Sequence, residues 1–288
     1  MFNIISEMRG LRKEVAELKN ILRVLESRSV PPFGNTMPDG SIFVTTIHGQ
    51  HYFIDASDLI ITPHIIVYRQ WEADLSAFIK QNVTRDTVFV DVGANFGYFT
   101  CLAGSTIGNT GSGRVIAIEP NADLVGLIRK NIAINWSSAP TTVHEAAANA
   151  DGQPVHLFVP ADRGSNASLS RFEATDECVA VNAVRVDDAC AGLTVDLMKV
   201  DVEGHEYGVL QGARETILRS PGIKIIMEWS MPQMDVVGIN LDEFLGYIRE
   251  LGLLPYQVHD VDYSQSNAMD WNALKNTYYM NVIFTRPR

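Results

Sequence analysis

At 288 residues, 46% of them hydrophobic, the chain can bury one substantial core. Its formal net charge of −11 gives a surface that repels phosphates, which argues against a nucleic-acid partner. The three cysteines show no CxxC spacing, so neither a disulfide framework nor a structural zinc site is expected, and a reducing, cytoplasmic setting is the default.

In chain order, Ile4, Met8, Leu11, Val15, Leu18, Leu22 and Leu25 step by four and three, a heptad seam with charges between. Residues 1–30 therefore read as a coiled-coil helix stopped at Val30-Pro31-Pro32, with homo-oligomerisation expected through residues 4–26. The alternating charges of this segment do not resemble a secretory signal, and no apolar run reaches membrane-spanning length. Residues 31–80 divide into a hairpin and a lid. Ile42–Ile47 and Tyr52–Ile54 flank a turn at His48-Gly49-Gln50, and Ile65–Lys80 carries a helical apolar face.

From there to residue 288 strands and helices alternate. Strands are expected at Val88–Val92, Val115–Glu119, Thr141–Ala146, Val195–Val200, Ile223–Trp229, Tyr256–His259 and Tyr279–Thr285. Helices are expected at Tyr98–Thr106, Ala122–Asn135, Tyr207–Ser220 and Leu241–Leu251. The pattern predicts an α/β, Rossmann-like, doubly wound and mostly parallel sheet. A polar interval, residues 151–190, interrupts it with short strands at Val155–Val159 and Cys178–Val186, and reads as a functional insertion.

The first strand ends in Asp91-Val92-Gly93-Ala94-Asn95-Phe96-Gly97-Tyr98, a turn at a helix start, where α/β folds hold nucleotide-like ligands. A P-loop would need a lysine after its second glycine, and none is present. A dinucleotide turn would need GxGxxG, whereas bulky Asn95 and Phe96 stand where pyrophosphate would approach. S-adenosylmethionine fits better, because the Asp91 carboxylate suits a sulfonium-bearing ligand. Glu119, ending the second strand ahead of Pro120 and Asn121, is placed to accept both ribose hydroxyls. Glu145 and Ala146, ending the third, would border the adenine.

These blocks, together with Lys199-Val200-Asp201-Val202-Glu203-Gly204-His205-Glu206 and Ile225-Ile226-Met227-Glu228, resemble the FkbM family of S-adenosylmethionine-dependent methyltransferases, over roughly residues 64 to 230. The resemblance implies a class I methyltransferase fold, with seven strands and the last antiparallel. It also implies O-methylation of a small-molecule hydroxyl on a sugar, polyketide or other secondary metabolite. Glu72, an acid after an aromatic in the resembling region, would reach the cofactor's ammonium group or the acceptor from the lid.

Transfer to an alcohol needs alignment and a base. His205 is the natural base because it titrates near neutrality, with Asp201 or Glu203 to orient it or to take the proton. Glu206 also reads as a helix cap. The acceptor would meet Glu228 and Trp229, and Asn166 and Ser168 of the insertion. Two alternatives stay open: a Mg²⁺-dependent variant with the metal on Asp201 and Glu228, and a catalytically silent cofactor-binding module tethered through its coiled coil.

Overall fold

The computed structural model describes residues 34–135, 138–159, 169, 177–260 and 262–287. The heptad seam over residues 4–26 lies outside the described residues, as do Asn166 and Ser168.

Strands β1 (Gly34–Thr36), β2 (Ser41–Thr45) and β3 (His51–Asp55) form a small antiparallel sheet. The edge of β3 is satisfied by two asparagines from a helix, not by another strand. Asn131 accepts the Phe53 N–H at 2.7 Å and donates to the Phe53 carbonyl at 3.0 Å. Asn135 does the same for His51, at 3.1 and 2.7 Å. Both asparagines are buried, so these bonds also meet their own desolvation cost.

The expected helix Ile65–Lys80 is instead two, α1 (Ile61–Tyr68) and α2 (Ala73–Asn82). Asp58 starts α1 early, its Oδ1 accepting the N–H groups of Ile60, Ile61 and Thr62 at 2.9, 2.6 and 3.1 Å. Arg69 and Glu72 then take left-handed φ values of 56° and 37°, which no helix can propagate.

The main sheet has seven strands: β4 (Val88–Val92), β5 (Arg114–Glu119), β6 (Thr141–Glu145), β11 (Leu197–Val200), β12 (Lys224–Ser230), β13 (Leu254–Gln257) and β14 (Tyr279–Thr285). Their order is β13-β14-β12-β11-β4-β5-β6, with β14 antiparallel to both neighbours and the contacts from β12 to β6 parallel. Strands buried on both faces need apolar side chains in both directions. Accordingly Val90, Val92, Met198 and Val200 belong to one core, while Phe89 and Leu197 belong to the other. Helices α3 (Tyr98–Ile107) and α4 (Ala122–Ile134) follow β4 and β5.

In the insertion, β8 (Val155–Val159) pairs with β9 (Glu177–Val181), and β7 (Ala147–Ala148) pairs with β10 (Ala183–Val184). The strand expected over Cys178–Val186 therefore divides, and Val186 opens the short helix α5 (Val186–Ala189). The helix expected over Tyr207–Ser220 likewise divides at Ala213 into α6 (Glu206–Gly212) and α7 (Arg214–Arg219). After β12 come α8 (Met231–Val236) and α9 (Leu241–Glu250), and α10 (Trp271–Lys275) precedes β14. Among the described residues no helix is long and apolar enough to cross a membrane.

The turn after β4 is the tightest point of the fold. Gly93 has φ 76°, and a Cβ there would stand 1.8 Å from the Asp201 carbonyl oxygen. Gly93→Ala should destabilise the protein by at least about 3 kcal/mol, since overpacking adds to left-handed strain. Chemical denaturation would measure this, and a variant within about 0.5 kcal/mol of wild type would contradict the close approach.

Candidate active site

A cavity of about 360 Å³ opens beside the carboxyl ends of β4, β5, β11 and β12, within the range of small-molecule sites. Of the residues expected from sequence, Glu72, Gly93, Ala94, Asn95, Tyr98, Glu119, Pro120, Asp201, Glu203 and Glu228 line it.

Glu119 is 5% exposed, with both carboxylate oxygens engaged by backbone. Its Oε2 accepts the Asn95 N–H at 2.8 Å, and its Oε1 accepts the Asn121 N–H at 3.0 Å. Each oxygen keeps a second lone pair, which a vicinal diol can use. Burial pushes the Glu119 carboxyl up to about 7 against these bonds.

At the other end stand four acids. Asp201 pairs with Lys199 at 2.8 Å. Lys199 is itself 4% exposed, and the negative charges of Asp201, Asp91 and Glu72 keep its pKa high against desolvation. Glu203, at a left-handed φ of 55°, accepts a bond from the Gln233 amide. Burial first, then the charges of Asp201 and Glu206, push its carboxyl up to about 8. Glu228 accepts the Tyr279 hydroxyl at 2.6 Å, and burial with Asp201 nearby holds it well above the carboxylate range. Glu72 accepts from Asn281 Nδ2 at 2.8 Å, and burial raises its pKa too.

Seven expected residues do not line the cavity. Asp91 is buried and accepts the Thr100 hydroxyl at 2.6 Å, which ties β4 to α3. Gly97 is the N-cap of α3, and Asn121 caps α4 by accepting the Asp123 N–H. Glu145 is exposed and paired with Arg129 at 3.4 Å. Ala146 is displaced from the wall by its successors Ala147 and Ala148. Trp229 points into the core, stacked on Phe244 with ring centroids 5.8 Å apart. His205 is the N-cap residue of α6, and burial lowers its pKa. Glu206, expected as a helix cap, is instead the first residue of α6 and braces the loop before it, its Oε1 accepting the N–H groups of Val202 and Gly204, both at 3.2 Å.

The wall also contains residues to which the sequence reading gave no role in the site: Trp71, Phe99, Lys199, Gln233 and Tyr279 among them. Lys199 had a signal, a lysine inside the apolar run Leu197-Met198-Lys199-Val200. Tyr279 had none, because only sheet order brings β14 beside β12.

A metal does not fit these donors. Among the described residues no group of three or more His, Cys, Asp or Glu side chains is placed to hold one. Of the expected pair, Asp201 is engaged by the Lys199 ammonium, and Glu228, with one oxygen on the Tyr279 hydroxyl, offers too few donors by itself for Mg²⁺.

A glycine turn over a parallel sheet, a buried strand-end acid and an antiparallel last strand together define the Rossmann-like class I methyltransferase fold. Residues 91–254 match the model of the methyltransferase FkbM domain, and the chain belongs to that family. Among curated proteins none matches this chain. Of solved structures, the methyltransferase FkbM from Methylobacillus flagellatus KT shares 18% identity, covering 70% of this chain and 44% of its own, with a TM-score of 0.43. M. jannaschii TYW2 in complex with AdoMet shares 13% identity, covers 85% and 86% of the two chains, and has a TM-score of 0.44. Trm5b from Pyrococcus abyssi shares 11% identity, covers 86% and 56%, and has a TM-score of 0.47.

The buried acids make stability depend on pH. For Glu206, ordinarily at 4.5 and raised to about 7 by burial, both folded and unfolded chains are protonated below about pH 4.5. As pH rises through that window the unfolded chain ionises first, so this group's contribution is lost by about pH 7. Glu206→Gln keeps an oxygen for both N–H groups and cannot ionise. Its stability relative to wild type should therefore climb between about pH 4.5 and about pH 7, by at most roughly 3 kcal/mol. Thermal melts of both proteins test this, and a difference that is flat or falls with pH would contradict it.

Proposed function

We propose that the protein transfers the methyl group of S-adenosylmethionine to a hydroxyl of a small molecule. The observation that carries this reading is one cavity with a buried strand-end acid, Glu119, at one end and a carboxyl raised to about 8, Glu203, at the other. When bound, the cofactor supplies an electrophilic methyl on its sulfonium.

Glu119 holds the ribose, and Ile118, Leu124, Ala147, Ala148 and Leu157 offer an apolar wall for the base. Glu72 faces the cofactor's ammonium group. Asp201, kept in place by Lys199, sits where the turn meets the acids.

Glu203 takes the hydroxyl proton. A base whose pKa lies near the working pH combines ionisation with driving force, which suits the value of about 8 that burial and neighbouring charge give it. Gln233 orients it without neutralising it. His205, expected as the base, does not line the cavity, and we assign it to the loop that carries Glu203. A small acceptor, in preference to nucleic acid, is supported by the net charge of −11, and a reducing, cytoplasmic setting by the three free cysteines.

The test is cofactor-dependent mass gain across a panel of hydroxylated small molecules. With an acceptor in hand, kcat/KM should rise with pH to a plateau above about pH 8. Glu203→Gln should lose at least about a hundredfold in kcat while binding S-adenosylhomocysteine normally. A fully active Glu203→Gln, or a pH-independent rate, would remove Glu203 as the base.

A further inference from the structure

One acid of the cavity wall stands there against the preference of its own segment. Glu72 lies between α1 and α2 at φ 37° and ψ 74°, a left-handed conformation that strains any residue with a side chain. It is the N-cap residue of α2, yet its carboxylate accepts none of that helix's N–H groups. A side-chain oxygen at this position ordinarily stabilises a helix by accepting one.

The Glu72 side chain turns instead to Asn281 of β14, 209 residues away, whose Nδ2 donates to its Oε1 at 2.8 Å. The backbone of the turn is pinned separately. The Ser76 N–H donates to the Glu72 carbonyl at 2.8 Å, and the Ser76 hydroxyl to the Trp71 carbonyl at 2.7 Å. The Ser76 and Tyr98 hydroxyls meet at 3.2 Å, and Tyr98 opens α3 just after the β4 turn. Asn281 is itself fixed by the sheet, where it stands opposite Glu228 in the β12–β14 pair. A strained residue that distant bonds hold in place points to a function for its side chain.

That function fits a cation. Burial raises the Glu72 pKa most, the Lys199 charge works against this, and the Asp201 charge adds to it. An ammonium group arriving at Glu72 would counter the burial and favour the ionised carboxylate.

Resting on the cofactor reading above, we propose that Asn281 is the positioning residue for the methionine end of the cofactor. It aims the Glu72 carboxylate at the cofactor's ammonium group and, by the same bond, joins the α1–α2 turn to β14. Both residues lie outside residues 91–254, so segments on either side of the family-matched region build this contact.

The experiment is calorimetry on the full chain with S-adenosylhomocysteine and with its deamino analogue, which lacks the ammonium group alone. Wild type should bind S-adenosylhomocysteine about tenfold or more tighter than the analogue, as a charge-assisted hydrogen bond predicts. Glu72→Gln should remove that preference, and Asn281→Leu should cut it by about fivefold, with the analogue's affinity changed by less than about twofold in both. Asn281→Ala repeats the test with a smaller side chain. The double variant should bind S-adenosylhomocysteine within about twofold of Glu72→Gln, because Asn281 acts through the Glu72 charge. Asn281 variants that keep the full preference, that weaken both ligands alike, or whose losses multiply with that of Glu72→Gln would each overturn the proposal. Equal binding of the two ligands by wild type would overturn it and leave the cofactor reading standing. Binding of neither would overturn both.

Discussion

Everything in the site follows from the contact between Gly93 and the backbone of Asp201. The Asp201 carbonyl oxygen lies where a side chain on residue 93 would begin, 1.8 Å from an ideal Cβ. The approach is possible because β4 and β11 are parallel neighbours, and the Asp201 N–H continues their ladder to the Val92 carbonyl at 3.1 Å. Only glycine combines that approach with a left-handed turn. The contact brings the β4 turn and the acidic block, more than a hundred residues apart in sequence, to one cavity.

The second constraint is electrostatic. Burying carboxylates raises their pKa values unless a cation or donors compensate. The site compensates them unequally. Lys199 pairs with Asp201 inside the sheet, whereas burial and neighbouring negative charge raise the carboxyls of Glu203, bonded by Gln233, and Glu228, bonded by Tyr279. The antiparallel β14 supplies Tyr279 to Glu228 and Asn281 to Glu72, the two being two apart and so on one face.

Much of this was legible in the sequence, for particular reasons. Val88–Val92 and Tyr279–Thr285 have the bounds their β-branched and aromatic runs suggest, and Glu119 lies where a strand-end acid should. The break between α1 and α2 was hidden, because Arg69 and Glu72 adopt left-handed φ with neither glycine nor proline to announce it. His205 and Trp229 misled for a common reason. Residue type suggested chemistry, but side-chain direction at a helix start and in an alternating strand decided the outcome. Glu145 and Ala146, expected to border the adenine, do not line the cavity, whereas their successors Ala147 and Ala148 do.

The central claim is that the β4 turn and Glu119 hold an adenosyl cofactor. Calorimetric titration of S-adenosylhomocysteine into wild type and Glu119→Ala tests it most directly. Saturable one-to-one binding by wild type, weakened by about tenfold or more without Glu119, is the predicted result. No binding by folded wild-type protein, or equal affinity in the two, would contradict it.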